Sequence, residues 1–155
     1  YSPDVVGIDK TKTEEDIATE SQYCHDIPGL GDKVDKARVI KVSPDQSQLY
    51  ISDGDEAKKK GALHVLNVAE GKLVRTFDYY DIICCLAFAD PEDQKANKIY
   101  AGTGNGDIIA YEVNQKLLAK QTIEVTLKGG KKKDREYDEP LERFGNLPPG
   151  DKASR

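Results

Sequence analysis

Residues 81–113 read DIICCLAFADPEDQKANKIYAGTGNGDIIAYEV, and this stretch decides the fold. An unbroken apolar run (82–88) leads into a proline–aspartate turn (90–93), a short strand (98–101), a glycine turn (102–107) and a third strand (108–113). Asn105-Gly106 is a strong hairpin signal, because Asn and Gly accept the positive φ that a tight turn demands. The three segments predict an antiparallel meander, with a fourth strand from Leu117 onward after a turn at 114–116. The run 82–88 is apolar at every position, so as a strand it predicts cover on both faces.

Working outward, the same grammar occurs once before. Val39, Ile40 and Val42 form a strand, and Ser43-Pro44-Asp45-Gln46 turns it. Proline presets φ at the second turn position, while Ser and Asp side chains cap backbone groups. Strands at 49–52, 62–68 and 73–77 follow, separated by a polar loop (53–60) and a tight turn at 69–72 holding Gly71. The two blocks align at a nearly constant offset. Tyr50 matches Tyr100, Gly61 matches Gly106, Val68 matches Val113 and Leu73 matches Leu117, shifts of 50, 45, 45 and 44. Four strands per unit at that spacing is the period of a propeller blade. The expected fold is all-β: two four-stranded antiparallel blades (37–77 and 81–128) of an incomplete β-propeller. An irregular acidic arm (1–36) precedes them and a charged, extended tail (129–155) follows.

VIKVSPDQSQLYIS with GALHVLNVAEGKLVRTF resembles a WD-repeat blade, and so does IICCLAFADPEDQKANKIYAGTGNGDIIAYEV. The likeness covers roughly residues 37–125. It rests on the apolar-x-apolar-Ser-Pro-Asp turn and on the small-residue strand ahead of a Gly-x-apolar-x-apolar strand. The Trp-Asp pair is replaced by Leu66-Asn67 and Tyr111-Glu112, and the Gly-His pairs are missing. Quinoprotein-like and YVTN-type repeats are similar to a comparable degree. The resemblance implies a non-enzymatic protein-interaction scaffold. It also implies binding loops at one rim, at 53–60, 78–81 and 103–105.

Charge and composition bound the rest. The formal charge is −5. Residues 1–36 carry nine carboxylates against four lysines, also −5, so the arm accounts for the whole excess. An acidic chain argues against a nucleic-acid partner. No apolar run approaches the roughly 18 residues of a membrane span. The chain has no methionine, so Tyr1 reads as other than the natural start, and the chain as a fragment or a processed form. Cys84 and Cys85 alternate faces on a strand and read as small buried residues. With Cys24 they make an odd three, which points to a reducing, cytoplasmic compartment.

No residue set calls for catalysis, a cofactor or a metal. Gly102, Gly104 and Gly106 join two strands and do not open a helix, so they make a hairpin and not a phosphate cradle. Asp53-Gly54-Asp55-Glu56 runs into Lys58-Lys59-Lys60, unlike a calcium loop. Cys24-His25 lacks a spaced second ligand pair for zinc, and His64 between Leu63 and Val65 reads as a packed histidine. Lys131-Lys132-Lys133 is followed by Asp134, Glu136, Asp138 and Glu139, which cancel most of its field. The expected partner-binding residues are Asp53, Asp55, Asp78, Tyr79, Tyr80, Asp81 and Asn105 on the rim, with Tyr79 and Tyr80 as exposed aromatic anchors. Leu141, Phe144 and Leu147 are the anchors of the tail, and their spacing of three allows a short helical turn on a partner groove, against a solvated linker as the plainer reading. The expected partners are protein chains that supply the missing blades. The alternative is part of a propeller enzyme, a quinoprotein-like oxidoreductase or a hydrolase, with its site in a central channel.

Overall fold

The computed structural model describes residues 27, 30–34, 36–88 and 98–145. The arm's predicted strand at 5–8, Cys24-His25 and the turn at 90–93 lie outside them. Among the described residues the fold is all-β apart from a helical turn, Leu30–Lys33. The first sheet is an antiparallel meander in the order β1 (Val39–Val42), β2 (Gln48–Asp55), β3 (Lys60–Asn67), β4 (Lys72–Tyr79). The second contains β5 (Ile83–Phe88), β6 (Lys98–Thr103) and β7 (Ile108–Glu112). Its outer strand is β10 (Glu142–Phe144), paired antiparallel to β7. Between them β8 (Gln121–Thr126) and β9 (Lys132–Tyr137) form a separate two-stranded hairpin.

The turns follow from the residues that make them. The Asp45 carboxylate accepts hydrogen bonds from the Ser43 hydroxyl (2.7 Å), the Ser47 amide (3.0 Å) and the Ser47 hydroxyl (2.7 Å). Those bonds hold its pKa down to about 2. The Asn67 side chain caps the Glu70 amide at 2.9 Å, and Gly71 closes that turn at φ 63°. Gly106 closes the β6–β7 turn at φ 89°.

Two expectations are corrected here. Residues from Leu117 onward do not become the outer strand of the second sheet. They run into β8, whose Ile123 and Val125 enter the core from the side of β4, where β9 lies alongside. The slot beside β7 is filled from the segment expected to be an extended tail, because Arg143 finds buried partners there. The second correction concerns the apolar run. It is β2 and β3 that are buried on both faces, whereas β5 exposes Cys84, Cys85 and Ala87. A bulge between Ile83 and Cys85 displaces Cys84 from the ladder, so neither thiol enters the core and Leu86 resumes the inward face.

The two sheets share one core. Tyr50, Leu63, Val65 and Phe77 of the first meet Ile83, Leu86, Ile99, Ile109 and Tyr111 of the second. Phe77 stacks on Tyr111 with ring centroids 4.5 Å apart, and Tyr50 meets Phe88 edge-on at 5.2 Å. Arg75 clamps across the layers, donating to the carbonyls of Val113 (2.7 Å) and Gln115 (2.6 Å). Among the strands of the second sheet, β5 lies against β1, β2 and β3.

Burial, with the Asp45 and Glu112 carboxylates adding to it, pushes the Tyr50 hydroxyl up to about 12. Burial also raises the hydroxyls of Tyr79, Tyr80 and Tyr111. A raised folded-state pKa means that folding favours the neutral phenol. Its contribution is intact below about pH 10, the unfolded value, and is lost as pH rises through the folded value. Alkaline titration should therefore show these tyrosinates appearing above about pH 10, together with loss of the circular dichroism signal. Ordinary midpoints for all tyrosines with the fold retained would contradict this.

Candidate partner-binding surface

The chain leaves β4 through Tyr79, Tyr80 and Asp81 and enters β5. The expectation that Tyr79 and Tyr80 stand exposed on a rim loop is corrected, since each is only 1% exposed. Their rings stack at 4.2 Å, and Tyr137 meets Tyr80 edge-on at 4.8 Å. Their hydroxyls are 3.0 Å apart, and Arg143 donates from Nη1 to both, at 2.6 and 2.9 Å. An aromatic ring of this size buries on the order of 150–250 Å². Here that area stabilises the junction between the sheets and is not open to a partner.

Asp53 and Asp81 are also buried, each at 2% exposure. Asp53 caps the chain as it enters the first sheet, accepting from the Lys36 amide (2.7 Å) and the Gly54 amide (2.7 Å). Its other oxygen lies 3.0 Å from His64 Nε2, while His64 Nδ1 lies 3.0 Å from the Thr76 hydroxyl. An acid, an imidazole and a hydroxyl in series have the composition of a nucleophilic triad. His64 is only 1% exposed, and Thr76 is half-buried on β4. The chain of bonds acts as a cross-link over β2, β3 and β4. Asp81 accepts from the Ile82 amide at 2.7 Å and pairs with Lys59 at 3.5 Å.

The crossover is threaded through glycines. A Cβ on Gly61 would fall 1.8 Å from the Asp81 carbonyl oxygen, and one on Gly104 would fall 2.6 Å from the Ile82 side chain. Only glycine lets the backbones come this close. The sequence pattern marks these residues as turn formers and does not disclose that close approach.

Asp55 and Asn105 remain partly accessible, and Asp78 is bound by Lys120 at 2.9 Å. Leu141 (47% exposed) and Phe144 (51%) do face solvent, while Leu147 lies outside the described residues. The expected helical turn is corrected: Glu142–Phe144 is a strand, and Arg143 points inward between two outward neighbours. That alternation sets Phe144 opposite Ile108, Ile108 opposite Gly102, and Gly102 opposite Cys85. Cys85, Ala87, Ile108 and Phe144 are all exposed, and Tyr100 packs beside Phe144 at 6.3 Å. Together they form an apolar outer face on the second sheet, flanked by the Lys98–Glu142 ion pair. Sequence reasoning missed Ile108 and Cys85. The signal was the alternation of Ile108 with Ile109, read as a strand without assigning its outer face.

Among the described residues, no group of three or more His, Cys, Asp and Glu gathers as metal ligands. No described helix is long and apolar enough to cross a membrane. No protein-family model matches the chain, and no curated protein matches it.

Proposed function

We propose that the chain is a non-enzymatic protein-interaction scaffold. Its two sheets are neighbouring blades of an incomplete propeller of WD-repeat type, within a larger assembly. The observation that carries this reading is the apolar outer face of the second sheet. A sheet face bearing Cys85, Ala87, Ile108 and Phe144 in solvent is what a blade presents before the next blade covers it. The meander order of β1 to β4, and the position of β5 against β1 and β2, support the same reading. The next blade comes from another chain or from further sequence of the same protein.

Lys98 flanks the outer face and reports on it. Cross-linking mass spectrometry on the protein isolated with its bound proteins should join Lys98 to a further blade or to another chain. A lone monomer by light scattering, with Lys98 cross-linked only within its own two sheets, would sink the proposal. A stoichiometric cofactor in native mass spectrometry would favour the enzyme alternative instead.

A further inference from the structure

The run 131–136, Lys-Lys-Lys-Asp-Arg-Glu, is mixed in sequence, but the hairpin sorts it. In β9, Lys133 and Arg135 are paired with Val125 and Ile123 and so share their face, which also carries Tyr137. Lys132, Asp134 and Glu136 take the opposite face. Ile123, Val125 and Tyr137 are buried, so the first face turns toward the body of the protein. Arg135 donates from Nε (3.2 Å) and Nη2 (2.8 Å) to the Lys58 carbonyl, which ties the hairpin to the β2–β3 turn. Beside that tie is a cleft lined by Lys36, Arg38, Lys59 and Lys128 together with Asp55, Glu56 and Ala57.

Of the acids that balance the lysines in sequence, Asp134 and Glu136 lie on the opposite face, and Asp138 and Glu139 are engaged elsewhere in the fold. Asp138 is buried and held by Lys120 at 2.8 Å. Glu139 pairs with Arg143 at 3.9 Å, and Glu124 pairs with Lys132 at 3.7 Å on the opposite face. An acidic protein thus presents a local cationic surface assembled from β1's approach, the β2–β3 turn and the hairpin tip.

We propose that this cleft docks an acidic, extended segment of a partner protein. Lys59 is held by Asp81, which leaves Lys36, Arg38 and Lys128 against Asp55 and Glu56, and this positive excess favours an anionic ligand. Nucleic acid fits less well, because no aromatic side chain lines the cleft to stack a base. A phosphate backbone would also meet Asp55 and Glu56 with a charge at every step. An extended peptide points alternate side chains to one side, and its amides can donate to those two carboxylates. The cleft is a separate surface from the outer sheet face, so this proposal stands or falls apart from the scaffold reading.

The test uses the whole chain and fluorescence anisotropy, with a labelled Glu-Gly repeat peptide and a single-stranded oligothymidylate of equal charge. The peptide should bind, and binding should weaken as salt rises. The exposed pair Lys36→Glu/Lys128→Glu should weaken it about tenfold with the circular dichroism spectrum unchanged. Lys132→Glu, on the opposite face, should leave it within about twofold. Three results overturn the proposal: no peptide binding, an equal loss from Lys132→Glu, or tighter binding of the oligothymidylate.

Discussion

Gly61→Ala should be the most damaging single-methyl change in the protein, costing about 3 kcal/mol or more. The added Cβ would sit 1.8 Å from the Asp81 carbonyl oxygen and 3.2 Å from the Ile82 Cα. Both are backbone atoms of the crossover, so no rotamer change relieves the clash. The crossover cannot retreat either, because Asp81 is tied to Lys59 and the Ile82 carbonyl accepts from the Gly104 amide at 2.9 Å. Urea denaturation of Gly61→Ala reads the loss. Gly106→Asn is the control, since nothing lies within 4 Å of a Cβ there and asparagine tolerates the positive φ. Equal stability of Gly61→Ala and the wild type would show that the two backbones do not approach as described.

Arg143→Leu should cost about 3–5 kcal/mol, the range for removing one partner of a buried charge pair. The guanidinium lies over the Tyr79 and Tyr80 rings at 5.7 and 5.9 Å and bonds both hydroxyls. It also lies 3.9 Å from Asp107, whose side chain is fully buried. Leucine fills part of the space but leaves the Tyr79 hydroxyl without its donor, the Tyr80 hydroxyl with Tyr79 alone, and Asp107 without this guanidinium. Arg143→Lys should recover only part of the loss, because one ammonium does not reproduce the planar fork. Amide exchange should show the β7–β10 ladder opening first. A Leu variant within about 1 kcal/mol of wild type, with that ladder still protected, would mean that the charge pair contributes little.

Much of the sheet structure was legible because alternation and turn chemistry are local. Ser43-Pro44-Asp45, Asn67 with Gly71, and Asn105-Gly106 each build the turn their residue types predict. The first sheet is therefore readable strand by strand. The second sheet misled at both ends for non-local reasons. Whether residues near 121 or near 143 pair with β7 depends on a half-buried arginine finding two buried hydroxyls on β4 and its crossover. No window of sequence contains that information. A local cue was present in Gly129-Gly130, at φ 95° and 87°, which turns β8 into β9 where a tail was expected to begin. Tyr79 and Tyr80 show the limit for sites. An aromatic pair between two strands has the composition of an anchor, and only the path of Arg143 decides whether it is spent inside or offered outside.

The outer strand of the second sheet has a consequence for how the chain folds as it is made. The first sheet pairs only sequence neighbours and can close as soon as Tyr79 is available. The second cannot, because Ala110 waits for Glu142 with the whole β8–β9 hairpin in between. Such distant pairing closes late, after its loop entropy has been spent. During synthesis β7 therefore presents an open edge until Glu142–Phe144 emerges. A chain stopped after Tyr137 would retain a complete first sheet and a second with Asp107 buried and its arginine missing. Completion of the second sheet is thus timed by Glu142–Phe144, made thirty residues after the strand it covers.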